Sequence, residues 1–140
     1  STLSSSSAAS DVYKRQIMPH VIVDYSANLK DFEPRPLLLQ INTALVETGY
    51  CEALDIKSRA HMDDVFVIGL GAEQQAYVHV KVYLLSGRDQ QQKQGIGKNV
   101  LKVLLSYSAL QQQDFPVQSC VELIEMPKQD YFKHVIKSQF

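Results

Sequence analysis

Pro19 follows Met18 directly and opens the run His20-Val21-Ile22-Val23-Asp24-Tyr25. Proline beside an initiator methionine is small enough for the methionine to be removed, which leaves a free prolyl secondary amine. Such an amine is both a base and a nucleophile. An apolar pocket and nearby cations destabilise its ammonium form and lower its pKa toward neutrality, where general acid–base catalysis works best. Proline also starts strands for a plainer reason, because its missing N–H costs no ladder hydrogen bond there. On Met18-Pro19 alone, the plainer reading is the stronger.

Lys57, Arg59 and His61 alternate with Ser58, Ala60 and Met62, so on a strand the three basic residues share one face. Together they could grip carboxylates, Arg59 through its two-pronged fork. A solvated polar face is the default for such a stripe. Gly87-Arg88 adds an arginine in a turn ahead of a helical run. Other combinations carry less. Gly95-Ile96-Gly97-Lys98 is a partial phosphate loop, but GxxxxGK needs glycine where Gln92 stands. His61, Asp63, Asp64 and His79 lack a metal-ligand spacing, and no metal is expected. Serine, cysteine and histidine occur in no nucleophile-elbow context.

The elements that must position these residues form a repeat. His20 to Tyr25 is short, β-branched and bounded by turn residues, as a strand should be. Pro34 and Pro36 open a helix, Leu38, Ile41, Leu45 and Thr48 recur at helical spacing, and Gly49 stands where a C-terminal cap is expected. A strand is expected over Leu54 to Met62, with Leu54, Ile56, Ala60 and Met62 on its apolar face. Asp63 to Gln75, with its FVIGLGAE, reads as a short strand and turn.

The second half repeats the order. Tyr77 to Leu85 has a clear period of two, with Val78, Val80, Val82 and Leu84 on one face. Asp89 with Gln92 forms a capping-box pattern. The helix behind it aligns Ile96, Val100, Val103, Leu104, Tyr107 and Leu110. Val117 to Met126 closes the unit as a buried strand, and the C-terminal KQDYFKHVIKSQF reads as a small cover or inter-subunit arm. Strand, long helix, strand implies a parallel pair with a right-handed crossover. The expected class is therefore α+β: two βαβ repeats, a four-stranded sheet and two helices on one face. The other face, still partly apolar, favours an oligomer.

The chain has 140 residues, 45% hydrophobic and 21% charged, which suits one globular domain. Its net charge of −1 argues against a nucleic-acid partner held by phosphate electrostatics. No apolar run approaches the roughly 18 residues that a bilayer span needs. Cys51 and Cys120 read as reduced, core or near-core residues of a cytoplasmic protein. Residues 1–17 read as a leader outside the fold, non-native or disordered, with residues 18–140 as the domain. The first sixteen are serine-rich without apolar period, and Lys14 and Arg15 come last, unlike a secretory signal. Ser6 to Gln16 resembles the in-frame translation of a transposase sequencing adapter.

Pro19-His20-Val21-Ile22-Val23 with Tyr25-Ser26-Ala27-Asn28-Leu29 resembles the opening of the 5-carboxymethyl-2-hydroxymuconate Δ-isomerases of the tautomerase superfamily. The resemblance continues through Thr48-Gly49, Ile56-Lys57-Ser58-Arg59-Ala60, Tyr77-Val78-His79-Val80 and Gly87-Arg88, and covers Pro19 to Met126. It implies a homotrimer of two-βαβ subunits and a cofactor-free isomerase in which Pro19 acts as base and then acid. The implied substrate is a dienol with three carboxylates, from homoprotocatechuate (4-hydroxyphenylacetate) breakdown. The resemblance makes Arg88 a carboxylate anchor, with Lys57 and Arg59 as further substrate-binding residues.

The sequence departs from the family at two places. Lys57 stands where members usually carry arginine; lysine keeps the charge and loses the bidentate fork. The FKQNN-type ending appears only as Tyr131-Phe132-Lys133-His134. Two alternatives follow: the same base acting on another 2-hydroxydienoate or enol, or a non-catalytic trimeric binding protein that kept the fold.

Overall fold

A computed structural model describes residues 17–138; the leader, apart from Ile17, lies outside the described residues. The strands are β1 (His20–Ser26), β2 (Lys57–Asp63), β3 (Ala76–Leu85) and β4 (Val117–Met126). The helices are α1 (Pro34–Glu47), α2 (Gln90–Ser106) and the single turn α3 (Ser108–Gln111). Short 3-10 turns occupy Ala53–Asp55 and Lys128–Asp130.

The sheet order is β2-β1-β3-β4. β1 and β2 are parallel, β3 and β4 are parallel, and the two units meet antiparallel along β1 and β3. Each parallel pair is joined through one long helix, as a crossover requires. Val21 and Val23 of β1 and Val78, Val80, Val82 and Leu84 of β3 are fully buried in one cluster with Leu37, Ile41 and Leu45 of α1 and Ile96, Val100 and Leu104 of α2. Both helices therefore cover one sheet face, as the two-fold βαβ reading expects.

Local chemistry explains the ends. Pro34 takes the first position of α1, where its missing N–H is harmless. The helix stops as the Thr48 hydroxyl donates to the Leu45 carbonyl at 2.6 Å and Gly49 adopts φ +80°, which a side chain would strain. At α2 the Asp89 carboxylate accepts from the Gln92 N–H at 2.7 Å, while the Gln92 side chain accepts from the Asp89 N–H at 3.0 Å, a complete capping box.

Several expectations change in detail. Of the three leucines that open α1, Leu37 is the buried one, joining Ile41, Ala44 and Leu45; Leu38 packs only at the edge and Thr48 is the cap. Leu37-Leu38-Leu39 is apolar throughout, so spacing leaves its phase open and packing against the sheet chooses it. The second strand begins at Lys57, since Ala53–Asp55 turns as a 3-10 helix and leaves Leu54 94% exposed. Between β2 and β3 there is a turn but no strand, and Val65, Val67 and Leu70 are exposed. The second helix breaks at Tyr107, though Tyr107 and Leu110 remain buried. Cys51 is buried; Cys120 is exposed on the face away from the helices. Gly95 to Lys98 lies within α2, as its amphipathic pattern requires.

The uncovered face carries His20, Ile22 and Asp24 from β1, Lys57, Arg59 and His61 from β2, and Tyr77, His79, Lys81 and Tyr83 from β3. It is mixed in character, with His79 Nε2 2.8 Å from Glu122 Oε1 and an ion pair between Lys81 and Asp24 at 3.9 Å. Among the described residues no helix is long and apolar enough to cross a membrane.

Candidate active site

Pro19 is buried at the start of β1, and its carbonyl accepts the Lys57 N–H at 3.2 Å. That bond sets the parallel register in which His20 stands opposite Lys57, and Ile22 opposite Arg59. Side chains alternate along each strand, so His20, Lys57 and Arg59 share the uncovered face at its Pro19 end.

The residues ahead of Pro19 are tightly held. Ile17 is fully buried and Met18 is 3% exposed. The Ile17 N–H donates to the Tyr50 carbonyl at 3.1 Å, and its carbonyl accepts the Leu85 N–H at 2.9 Å. Met18 reaches this position with φ +46°, a left-handed conformation uncommon for a residue with a side chain. Together Ile17 and Met18 fill a slot beside Pro19, between the Tyr50 backbone and the end of β3.

The Lys57 ammonium donates to the Asp55 carbonyl. Burial lowers its pKa, the neighbouring Lys133 lowers it further, and Asp55 works in the opposite direction. Arg59 is exposed. Arg88 is half-buried, and its guanidinium carbon lies 5.6 Å from the centre of the Tyr50 ring, within cation–π range. Arg88 thus borders the slot through Tyr50, whereas Lys57 borders Pro19 along β2, and Arg59 lies two residues farther along that strand. Among the described residues no group of histidine, cysteine and acidic side chains is arranged to hold a metal ion.

Three contributors were not singled out from the sequence. His20 Nε2 is hydrogen bonded to the Tyr131 hydroxyl at 3.0 Å, with the rings edge to face. Burial lowers the His20 pKa from its ordinary value, and the charges of Lys57, Arg59 and Lys133 lower it further, which favours the neutral ring. Lys133 donates to Asp55 Oδ1 at 2.7 Å, and its nitrogen lies 3.9 Å from Met18 Sδ. The C-terminal segment therefore covers the Pro19 end of its own subunit. The sequence pointed to this segment as a small cover or inter-subunit arm and as the remnant Tyr131-Phe132-Lys133 of the family ending, without giving its partners.

A four-stranded mixed sheet with two main helices on one face, built from two βαβ units, is the tautomerase-superfamily fold, and the chain is an isomerase of that class. The family model described as 5-carboxymethyl-2-hydroxymuconate isomerase matches residues 19–140, and the chain belongs to that family. A curated relative, the 5-carboxymethyl-2-hydroxymuconate Delta-isomerase of Escherichia coli, is 29% identical over 93 residues, 66% of this chain and 74% of the relative. The crystal structure of a 5-carboxymethyl-2-hydroxymuconate isomerase from Deinococcus radiodurans R1 superposes with a TM-score of 0.75 at 25% identity, over 85% of this chain and 90% of that one. Native fused 4-OT shares the fold at a TM-score of 0.61 and 18% identity, over 81% of this chain and 91% of that one.

Proposed function

We propose that the working enzyme begins at Pro19 and isomerises 5-carboxymethyl-2-hydroxymuconate to its 2-oxo form without a cofactor. The observation that carries this reading is the setting of Pro19. It is buried at the head of β1, tied to Lys57, and next to His20, whose pKa Lys57, Arg59 and Lys133 all lower. The family match beginning at residue 19 supports the same start. Residues 1–18 are then no part of the catalyst.

Once released from Met18, the prolyl nitrogen becomes a secondary amine at the edge of the slot. Burial disfavours its ammonium form, and the cations that lower the pKa of the adjacent His20, namely Lys57, Arg59 and Lys133, act in the same direction. The neutral amine takes a proton from the 2-hydroxyl side of the dienol and returns it to carbon 5. The negative charge that gathers on the dienolate oxygen needs fixed positive groups. Lys57, Arg59 and Arg88 are the substrate-binding residues, Arg59 and Arg88 as carboxylate forks. The vacated slot offers the Leu85 N–H and the edge of Tyr50 to the substrate.

A second reading keeps the base and changes the substrate to another 2-hydroxydienoate or enol. Lys57 favours it, because its ammonium is a point charge leaning on the Asp55 carbonyl. The assembly in this proposal is a homotrimer in the cytoplasm. The uncovered sheet face supports it, as do fused 4-OT relatives of this fold described as symmetric trimers; sedimentation at micromolar concentration checks it.

The deciding experiment is an ultraviolet assay of the dienol with a chain beginning at Pro19, beside its Pro19→Ala twin. Fast turnover by the first and loss of most of the rate in the second uphold the assignment. Equal, slow rates from two folded proteins refute it and move the search to other enols.

A further inference from the structure

The C-terminal segment is held by polar contacts rather than by burial. Phe132 is 89% exposed and Ile136 is 91% exposed, so neither anchors it. It is pinned instead by Tyr131 on His20 and by Lys133 on Asp55, whose positions in the chain are 111 and 78 residues away. Fixing a chain end through its charged and hydroxyl groups costs side-chain entropy and returns little in stability. Its effect is to deliver an ammonium group to one place. That place is beside Met18, the residue whose removal exposes the Pro19 nitrogen.

The placement brings cations together. The side chains of Lys133 and Asp55 are about one-quarter and one-fifth exposed, so their charges are only partly screened. Lys57 is close enough for Lys133 to disfavour its protonation, and His20 feels Lys57, Arg59 and Lys133 together. A site where like charges are held against one another, with Asp55 paired to Lys133, is less favourable empty than filled by a polyanion.

We propose that Lys133 is a further carboxylate anchor of the substrate site, beside Lys57, Arg59 and Arg88, supplied by the same subunit's C-terminal segment and held in place by Asp55. The inference rests on the polycarboxylate reading above and deepens it. Lys57 and Lys133 contribute point charges and Arg59 a fork, so the cluster fits a ligand with carboxylates at several positions better than one with a single acid group. Asp55 shares the ammonium while the site is empty, and the ligand's carboxylate joins it on binding, since an ammonium has three donors.

The test uses the enzyme freed of the residues before Pro19, as Lys133→Met, Lys133→Arg and the unaltered protein, with thermal unfolding as the check on fold. Kinetics compare the tricarboxylate dienol with a 2-hydroxymuconate lacking the carboxymethyl group. Lys133→Met is expected to raise KM for the tricarboxylate about tenfold, to change kcat less than about threefold, and to leave KM for the smaller dienol unchanged. Lys133→Arg should recover most of the loss. Calorimetry with propane-1,2,3-tricarboxylate and glutarate reads the anchor without catalysis, and Lys133→Met should abolish the preference for the tricarboxylate. If neither dienol turns over but that preference vanishes in Lys133→Met, the isomerase reading fails and the anchor stands. A folded Lys133→Met enzyme with unchanged KM and unchanged preference overturns the anchor alone. Equal rises in KM for both dienols also overturn it, because they mark a general structural role.

Discussion

Leaving Met18 on Pro19 is expected to silence the enzyme by two separable effects. The first is chemical: an amide nitrogen has no useful basicity, and removal of a positioned base costs a factor of about 10² to 10⁴. The second is competition for space. Ile17 and Met18 each bury an entire side chain, worth about 1.5–3 kcal/mol apiece, and Ile17 makes two backbone hydrogen bonds worth about 0.5–1.5 kcal/mol each. A substrate that takes this space displaces a plug of about 4–9 kcal/mol, which lowers its apparent affinity by roughly 700-fold or more at about 1.4 kcal/mol per factor of ten. The assay compares the 140-residue chain, a chain in which removal of Met18 is blocked, and one beginning at Pro19. A chain carrying only an extra Met18 lacks the Ile17 part of the plug, so its KM should fall between the other two while its kcat stays low. If all three turn over within tenfold of one another, the reasoning about both the base and the slot is wrong.

Four further outcomes follow from the same geometry. Lys57→Arg restores a fork at the edge of Pro19 and should lower KM for a tricarboxylate dienol about threefold to tenfold, with kcat little changed in steady-state assays. Arg88→Ala removes a charge-assisted contact and should reduce kcat/KM about 10- to 100-fold, while Arg88→Lys recovers only part of it. The His20 pKa is lower in the folded protein than in the unfolded chain, so the unfolded state binds more protons once pH falls below about 6.5. Denaturant titrations should therefore show stability declining from that pH downward until the folded ring itself is protonated, with a shallower decline in His20→Gln. Asp89→Ala removes the capping box of α2 and should cost about 1 kcal/mol, read as a fall of about 3–5 °C in Tm.

Much of the architecture was legible from local pattern. β1 and β3 alternate because one of their faces meets the helices, and period two survives any detail of the contacts. The Asp89 and Gln92 cap is a local exchange of hydrogen bonds, readable from two residues three apart. The stripe of Lys57 and Arg59 is equally local, since a strand puts alternate residues on one face. Length, helical spacing and crossover rules carried the rest as far as two βαβ units.

Tertiary structure decided what pattern could not. Leu37-Leu38-Leu39 offers three leucines to a helix that buries one face, and only packing against β1 and β3 selects Leu37. Leu54 belongs by type to the strand after it, yet the chain turns at Ala53–Asp55 to set the Lys57 N–H on the Pro19 carbonyl. The order β2-β1-β3-β4 places the two first strands together at the centre, a long-range pairing that no local spacing encodes. The meeting of Lys133 with Asp55, and of Tyr131 with His20, is of the same kind. Each such contact is a charge or hydroxyl pair with no periodicity to announce it, formed only because the folded sheet brings distant ends of the chain together.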